Sequence, residues 1–189
     1  PLIVGAKPCS ESDVYSGYPL PKHLEFGAVR PYPLLLDCSQ LDLANVGLTA
    51  EEALLLTRAV GQRINGEFRN ISVVDGIQSI VLDGVEQAGD GAMAEIAAAL
   101  IRTPPHLHNV TLGLASAGVT SAGAASLASL LGAAGTTVTS LRADWNGAIG
   151  DAGASAIGRA LVGNRVLRVL GLERCGISDE GAAQLAISL

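Results

Sequence analysis

Three kinds of side chain in this sequence have types and spacing that invite a chemical reading: the imidazoles of His106 and His108, the thiols of Cys9, Cys38 and Cys175, and scattered carboxylates. The string His106-Leu107-His108 would put two imidazoles on one side of an extended strand, but two ligands make an incomplete zinc site. Pro104-Pro105 immediately before it points instead to a loop or strand edge. The cysteines are odd in number, widely separated and without a C-x-x-C pair, which predicts buried free thiols rather than disulfides or a closed metal site. Asp37, Asp75 and Asp90 suggest no paired-carboxylate centre. Phosphate-binding glycine loops, H-E-x-x-H and G-x-S-x-G strings do not occur. The expectation is a protein that is not an enzyme, with no catalytic residues, no metal and no cofactor.

Charge narrows the partner. The net charge is −6, and the only lysines are Lys7 and Lys22. Thinly spread arginines give no stripe able to neutralise a phosphate backbone, so direct nucleic-acid binding is disfavoured and protein partners are expected. The apolar string "AMAEIAAALI" is interrupted by Glu95 and falls far short of the about 20 residues a membrane span needs. The opening "PLIVGAKPCSESD" has neither a basic segment nor an apolar core of the secretory kind, which predicts a cytoplasmic or organelle-matrix location.

Stepping outward from single residues, the chain has two regions. Residues 1–33 hold six of the eight prolines, all three tyrosines and both lysines, with no helical or strand period, and read as an extended N-terminal arm. Residues 34–189 are periodic. Aligned on a small-residue pair, Gly181-Ala182 matches Gly153-Ala154, Gly123-Ala124, Ala92-Met93 and, most remotely, Glu52-Ala53. The period is about 30 residues, giving about five units, with "GQRINGEFRNISVVDG" inserted between the first two.

Each unit is half strand and half helix. In the last, Leu167, Leu170, Leu172, Cys175 and Ile177 read as a strand and its turn, and Ala182, Leu185 and Leu189 follow the spacing of one helix face. The fourth repeats this with Val138, Leu141, Ala143, Asn146 and Ile149, then Ala154, Ile157 and Leu161. Asp151 and Asp179 stand where a carboxylate would cap the helix that follows it. This pattern resembles the leucine-rich repeats of the ribonuclease-inhibitor type, over roughly Leu34 to Leu189. The resemblance implies an α/β leucine-rich repeat solenoid. It would form a short right-handed arc with parallel strands on the concave side and helices on the convex side.

On such an arc, side chains beside the strand leucines face the concave surface. Asp83, Asp144 and Glu173 would stack there as an acidic column, with Arg142, Trp145 and Arg174 adding residue types common at interface hot spots. The column predicts docking of a basic protein, while Asn146 and Cys175 are expected to bond loop backbone. Tyr15, Tyr18, Phe26 and Tyr32 concentrate aromatic surface in an arm too irregular to bury it. They are expected either to cap the first unit or to lie along a partner, with Leu185 and Leu189 offering a further contact at the last helix. The functional expectation is a non-catalytic protein–protein interaction scaffold or adaptor held in a multi-subunit complex. By resemblance alone, the setting includes axonemal and other large assemblies, hence a cytoskeletal or ciliary location. The alternative is a regulator of an enzyme, of the kind that ribonuclease inhibitor or the Ran GTPase-activating protein represents.

Overall fold

The computed structural model describes residues 8–9, 40–45, 47–54, 57–58, 78–102 and 109–188. Its strands are β1 (Pro8–Cys9), β2 (Gln40–Asp42), β3 (Ser79–Val81), β4 (Val110–Gly113), β5 (Val138–Arg142) and β6 (Val169–Gly171). They form one parallel sheet in sequence order. Residues 50–54 and 57–58 are helical, and α1 (Gly89–Ile101), α2 (Ser121–Leu131), α3 (Gly150–Leu161) and α4 (Asp179–Ser188) follow β3 to β6 in turn. Strand, turn and helix therefore repeat as units, and each strand pairs only with its sequence neighbours. The leucine-rich repeat arc expected from the sequence is the observed architecture.

Register follows the aliphatic pattern. Ile80 pairs with Leu112, Leu112 with Leu141, and Leu141 with Leu170. This settles the third unit, in which Val110, Leu112 and Leu114 are all fully buried. Facing them from the helices are Met93, Ile96, Leu127 and Ile157, also fully buried. Burying each such side chain contributes about 1.5–3 kcal/mol, so the strand–helix seam is the main source of stability. The alanines of α1 and α2 let adjacent helices pack closely.

Two expectations change. Pro8–Cys9, inside the supposedly unpaired arm, is a strand on the edge of the sheet beside β2. Parallel pairing uses main-chain groups and needs no side-chain period, and a proline, lacking an N–H, is tolerated at a sheet edge. The last helix also differs: of α4 only Gly181 is buried, Ala182 is exposed and Leu185 is half-buried, whereas their counterparts Gly153, Ala154 and Ile157 are all buried. Among the described residues no further helix packs on α4. The inserted string between the first two units, and the segment from Leu34 to Cys38, lie outside the described residues.

The polar groups of the turns are satisfied between units. Asn146, 3% exposed, accepts from the Ala117 and Val119 N–H groups at 3.1 and 3.0 Å. Its amide nitrogen donates to the Leu114 carbonyl at 2.8 Å and to those of Ala143 and Asp144 in its own turn. Cys175, one unit later, donates its thiol to the Ala143 carbonyl at 3.1 Å. Both residues tie loop backbone, as expected. A buried peptide group left unpaired costs about 1–3 kcal/mol. Asn146→Ala should therefore lower the unfolding free energy by about 3 kcal/mol or more, and Cys175→Ala by about 1 kcal/mol. Urea denaturation of both variants checks this; equal losses would show that the amide is not the principal tie.

Candidate functional site

After each strand the backbone enters the left-handed region for one residue. These residues are Asn45, Gly84, Ser116, Trp145 and Arg174, with φ of 60°, 75°, 50°, 63° and 54°. Hydrogen bonds between units hold the turns in a row: the Trp145 N–H donates to the Glu173 carbonyl at 2.7 Å, and Ser116 to Asp144 at 2.9 Å. Glycine or asparagine suits this conformation, while a bulky side chain there costs about 1–2 kcal/mol. The last two units nevertheless hold a tryptophan and an arginine.

Those two side chains meet. The Arg174 guanidinium lies 4.3 Å from the centroid of the Trp145 ring, and Trp145 is 53% exposed. Of the two roles open for Trp145, partner anchor or interior filler, the exposure removes the second. Arg174 also approaches Glu173 at 3.6 Å, both side chains exposed, a contact worth about 0–1 kcal/mol. Arg142 is exposed on β5, and the register places it between Gly113 and Gly171. The result is a mixed-charge patch around an indole.

The acidic column has a second duty. Asp83 is half-buried, and its Oδ1 accepts from the Ala115 N–H at 2.7 Å. Asp144, likewise half-buried, accepts from the Glu173 N–H at 2.8 Å. Each carboxylate lies across a neighbouring strand at a glycine, since a Cβ on Gly113 would come within 3.0 Å of Asp83 Oδ1, and one on Gly171 within 2.7 Å of Asp144. Glu173 is exposed and makes no such bond among the described residues. Spacing alone placed the carboxylates; it did not show that two of them tie adjacent units.

The capping expectation is corrected in the same way. Asp151, in the first turn of α3, caps the helix of the following unit: its Oδ1 accepts from the Ser178 N–H and its Oδ2 from the Ser178 hydroxyl, both at 2.7 Å. Asp90 does the same for Thr120, and its Oδ1 also accepts from the Gly123 N–H at 2.9 Å. The reason is steric and visible at Gly123 and Gly181, where a Cβ would collide with Asp90 and Asp151. The glycine of the repeat thus makes room for its neighbour's carboxylate.

Burial pushes the Cys175 thiol above its ordinary value, which keeps it protonated and suits a structural hydrogen-bond donor rather than a nucleophile. Among the described residues no cluster of three or more His, Cys, Asp or Glu side chains is placed to hold a metal ion. His106, His108, Tyr15, Tyr18, Phe26, Tyr32 and Leu189 lie outside the described residues. The stacking of Trp145 on Arg174 was not readable from the sequence, because the two belong to successive units. The common signal, one residue at the same turn position in every unit, becomes visible once the units are aligned on their last strand leucine.

Parallel strands and helices alternating in this way, with an asparagine or cysteine tie in the turn, define a leucine-rich repeat protein. The family model described as leucine-rich repeat matches residues 136–158 and 163–186, the units of β5–α3 and β6–α4. No curated protein sequence matches the chain. Leucine-rich repeats are, in general, non-catalytic protein-interaction modules, and no described helix is long and apolar enough to cross a membrane.

The Asp151 cap sets a pH dependence. The Ser178 hydroxyl and N–H, and then the Gly181 N–H, hold the Asp151 carboxyl below its ordinary value of 3.8 against a smaller opposing effect of desolvation. A carboxylate with a depressed folded-state pKa stabilises the fold above its unfolded value and loses that contribution as pH falls through the folded one. Wild type should therefore be more stable than Asp151→Asn at neutral pH. The difference should close below about pH 4. Thermal unfolding of the two proteins across that window checks it; a difference independent of pH would remove the carboxylate from the explanation.

Proposed function

We propose that this protein is a scaffold or adaptor subunit that binds a protein partner through the face carrying Arg142, Asp144, Trp145, Glu173 and Arg174. The observation that carries the reading is Trp145: a large aromatic held at a positive φ, half in solvent, with a guanidinium over its ring. Backbone strain at an exposed aromatic has no evident packing return here, and such strain concentrates at sites of function. An indole ordered by its neighbours loses little further freedom on binding, and tryptophan and arginine are the side chains most often found at energetic centres of interfaces.

The partner's chemistry follows from the surroundings. Arg142 and Arg174 stand beside Asp144 and Glu173, and Asp83 extends the acidic side, so the face favours a folded protein of mixed charge with a basic component over a polyanion. The arm is part of the proposal on sequence grounds alone: Tyr15, Tyr18, Phe26 and Tyr32 supply aromatic surface for a neighbouring subunit. The proposed setting is a large cytoplasmic assembly, of which cytoskeletal and ciliary complexes are examples.

Size-exclusion chromatography of a gently prepared native lysate tests the reading. The tagged chain should elute well above its 19.1 kDa mass, and Trp145→Ala should return it toward the free position with no loss of thermal stability. Elution of the wild-type chain as a free monomer would overturn the proposal.

A further inference from the structure

The units of β4–α2 and β6–α4 share one construction, with Gly118 and Gly176 in the turn and Thr120 and Ser178 bonded to the carboxylate before them. The first of these is followed by another unit, which shows what such a face requires. Leu114, Ser116 and Ser121 donate their N–H groups to the carbonyls of Arg142, Asp144 and Ala148. Ala117 and Val119 donate to the Asn146 side chain, which in return donates to the Leu114 carbonyl.

On the β6–α4 unit the same groups belong to Leu172, Arg174, Cys175, Ile177 and Asp179. Among the described residues nothing receives the Cys175 and Ile177 N–H groups. Cys175 is only 1% exposed, so its N–H is withheld from water as well. The apolar side chains are in the same state. Leu112, Leu114, Val119 and Leu127 are 0–1% exposed, whereas their counterparts Leu170, Leu172, Ile177 and Leu185 are half-buried, and Val169 and Ile187 are 46% and 80% exposed.

We infer that this face is a receptor for one further leucine-rich unit whose turn presents an asparagine. The choice of asparagine is chemical: the occupant must accept two converging N–H bonds with one oxygen and donate to the Leu172 carbonyl from the adjacent atom. A carboxamide does both, while a carboxylate or an aliphatic side chain cannot. A second copy of this chain stacked by its own first unit would present Val46 at that position, so it does not fit. The inference deepens the scaffold reading by naming a second contact surface and the kind of partner it takes.

The chain supplies its own probe. Residues 132–162, which contain the connector, β5 and α3, are appended directly after Leu189, the sequence counterpart of Leu131 at the end of α2. A second version carries alanine at the added copy of Asn146. Amide hydrogen exchange is followed at Cys175 and Ile177. The asparagine version should slow both amides about tenfold or more relative to the chain alone, and the alanine version should not. Unchanged exchange in the extended chain, equal protection by the alanine version, or protection in the unextended chain that grows with its concentration would each overturn the inference. The measurement reads the end face alone, so its failure leaves the Trp145 docking surface untouched, and loss of capture through Trp145 leaves it untouched in turn.

Discussion

Each turn from strand to helix in this molecule carries peptide groups that its own unit cannot satisfy. That constraint organises the rest. The strand edge can bond only to the next strand, and the turn beyond it bends too sharply to close on itself, so its donors and acceptors must be met from the adjacent unit. Asn146 is the clearest case, reaching back to Leu114, Ala117 and Val119 while holding its own turn through Ala143 and Asp144. Hydrophobic burial supplies most of the free energy, but it is indifferent to register. The polar ties fix register, because a shift by one residue would leave several buried peptide groups unpaired.

The ties come in two kinds, and they alternate. Asp83 and Asp90 reach from the β3–α1 unit to the next, over Gly113 and beside Gly123. Asp144 and Asp151 do the same from the β5–α3 unit, over Gly171 and beside Gly181. Between these pairs the junction is made by Asn146 and by Asn164, whose amide donates to the Leu131 carbonyl at 2.7 Å. The glycines are thus paired with particular carboxylates one unit earlier. A lone glycine-to-alanine change would displace a cap as well as fill a space.

The same logic separates structural from functional residues. Asp83, Asp144, Asn146 and Cys175 each have backbone partners that explain them. Trp145 and Arg174 do not: their left-handed turn would be served equally well by Asn or Gly, as at Asn45 and Gly84, and their side chains face solvent rather than the core. What the fold does not require, and yet holds in an ordered arrangement, is where an interaction site is to be sought.

Much of this was legible in the sequence. The recurring Gly-Ala pair, the Leu–x–Leu strands and the 3.6-residue helix faces determined the repeat, the parallel sheet and the side on which Asp83, Arg142, Asp144 and Glu173 stand, because those depend on local periodicity and on burial of an apolar stripe. The residues that would bond loop backbone, Asn146 and Cys175, were legible for the same reason. What only the tertiary structure decided were relations between units: that Asp151 caps the following helix rather than its own, that two members of the acidic column bond a neighbour's N–H, that Arg174 covers Trp145, and that Pro8–Cys9 joins the sheet. Sequence fixes what a residue can donate, accept or bury. Which group about thirty residues away receives it depends on how one unit is set against the next.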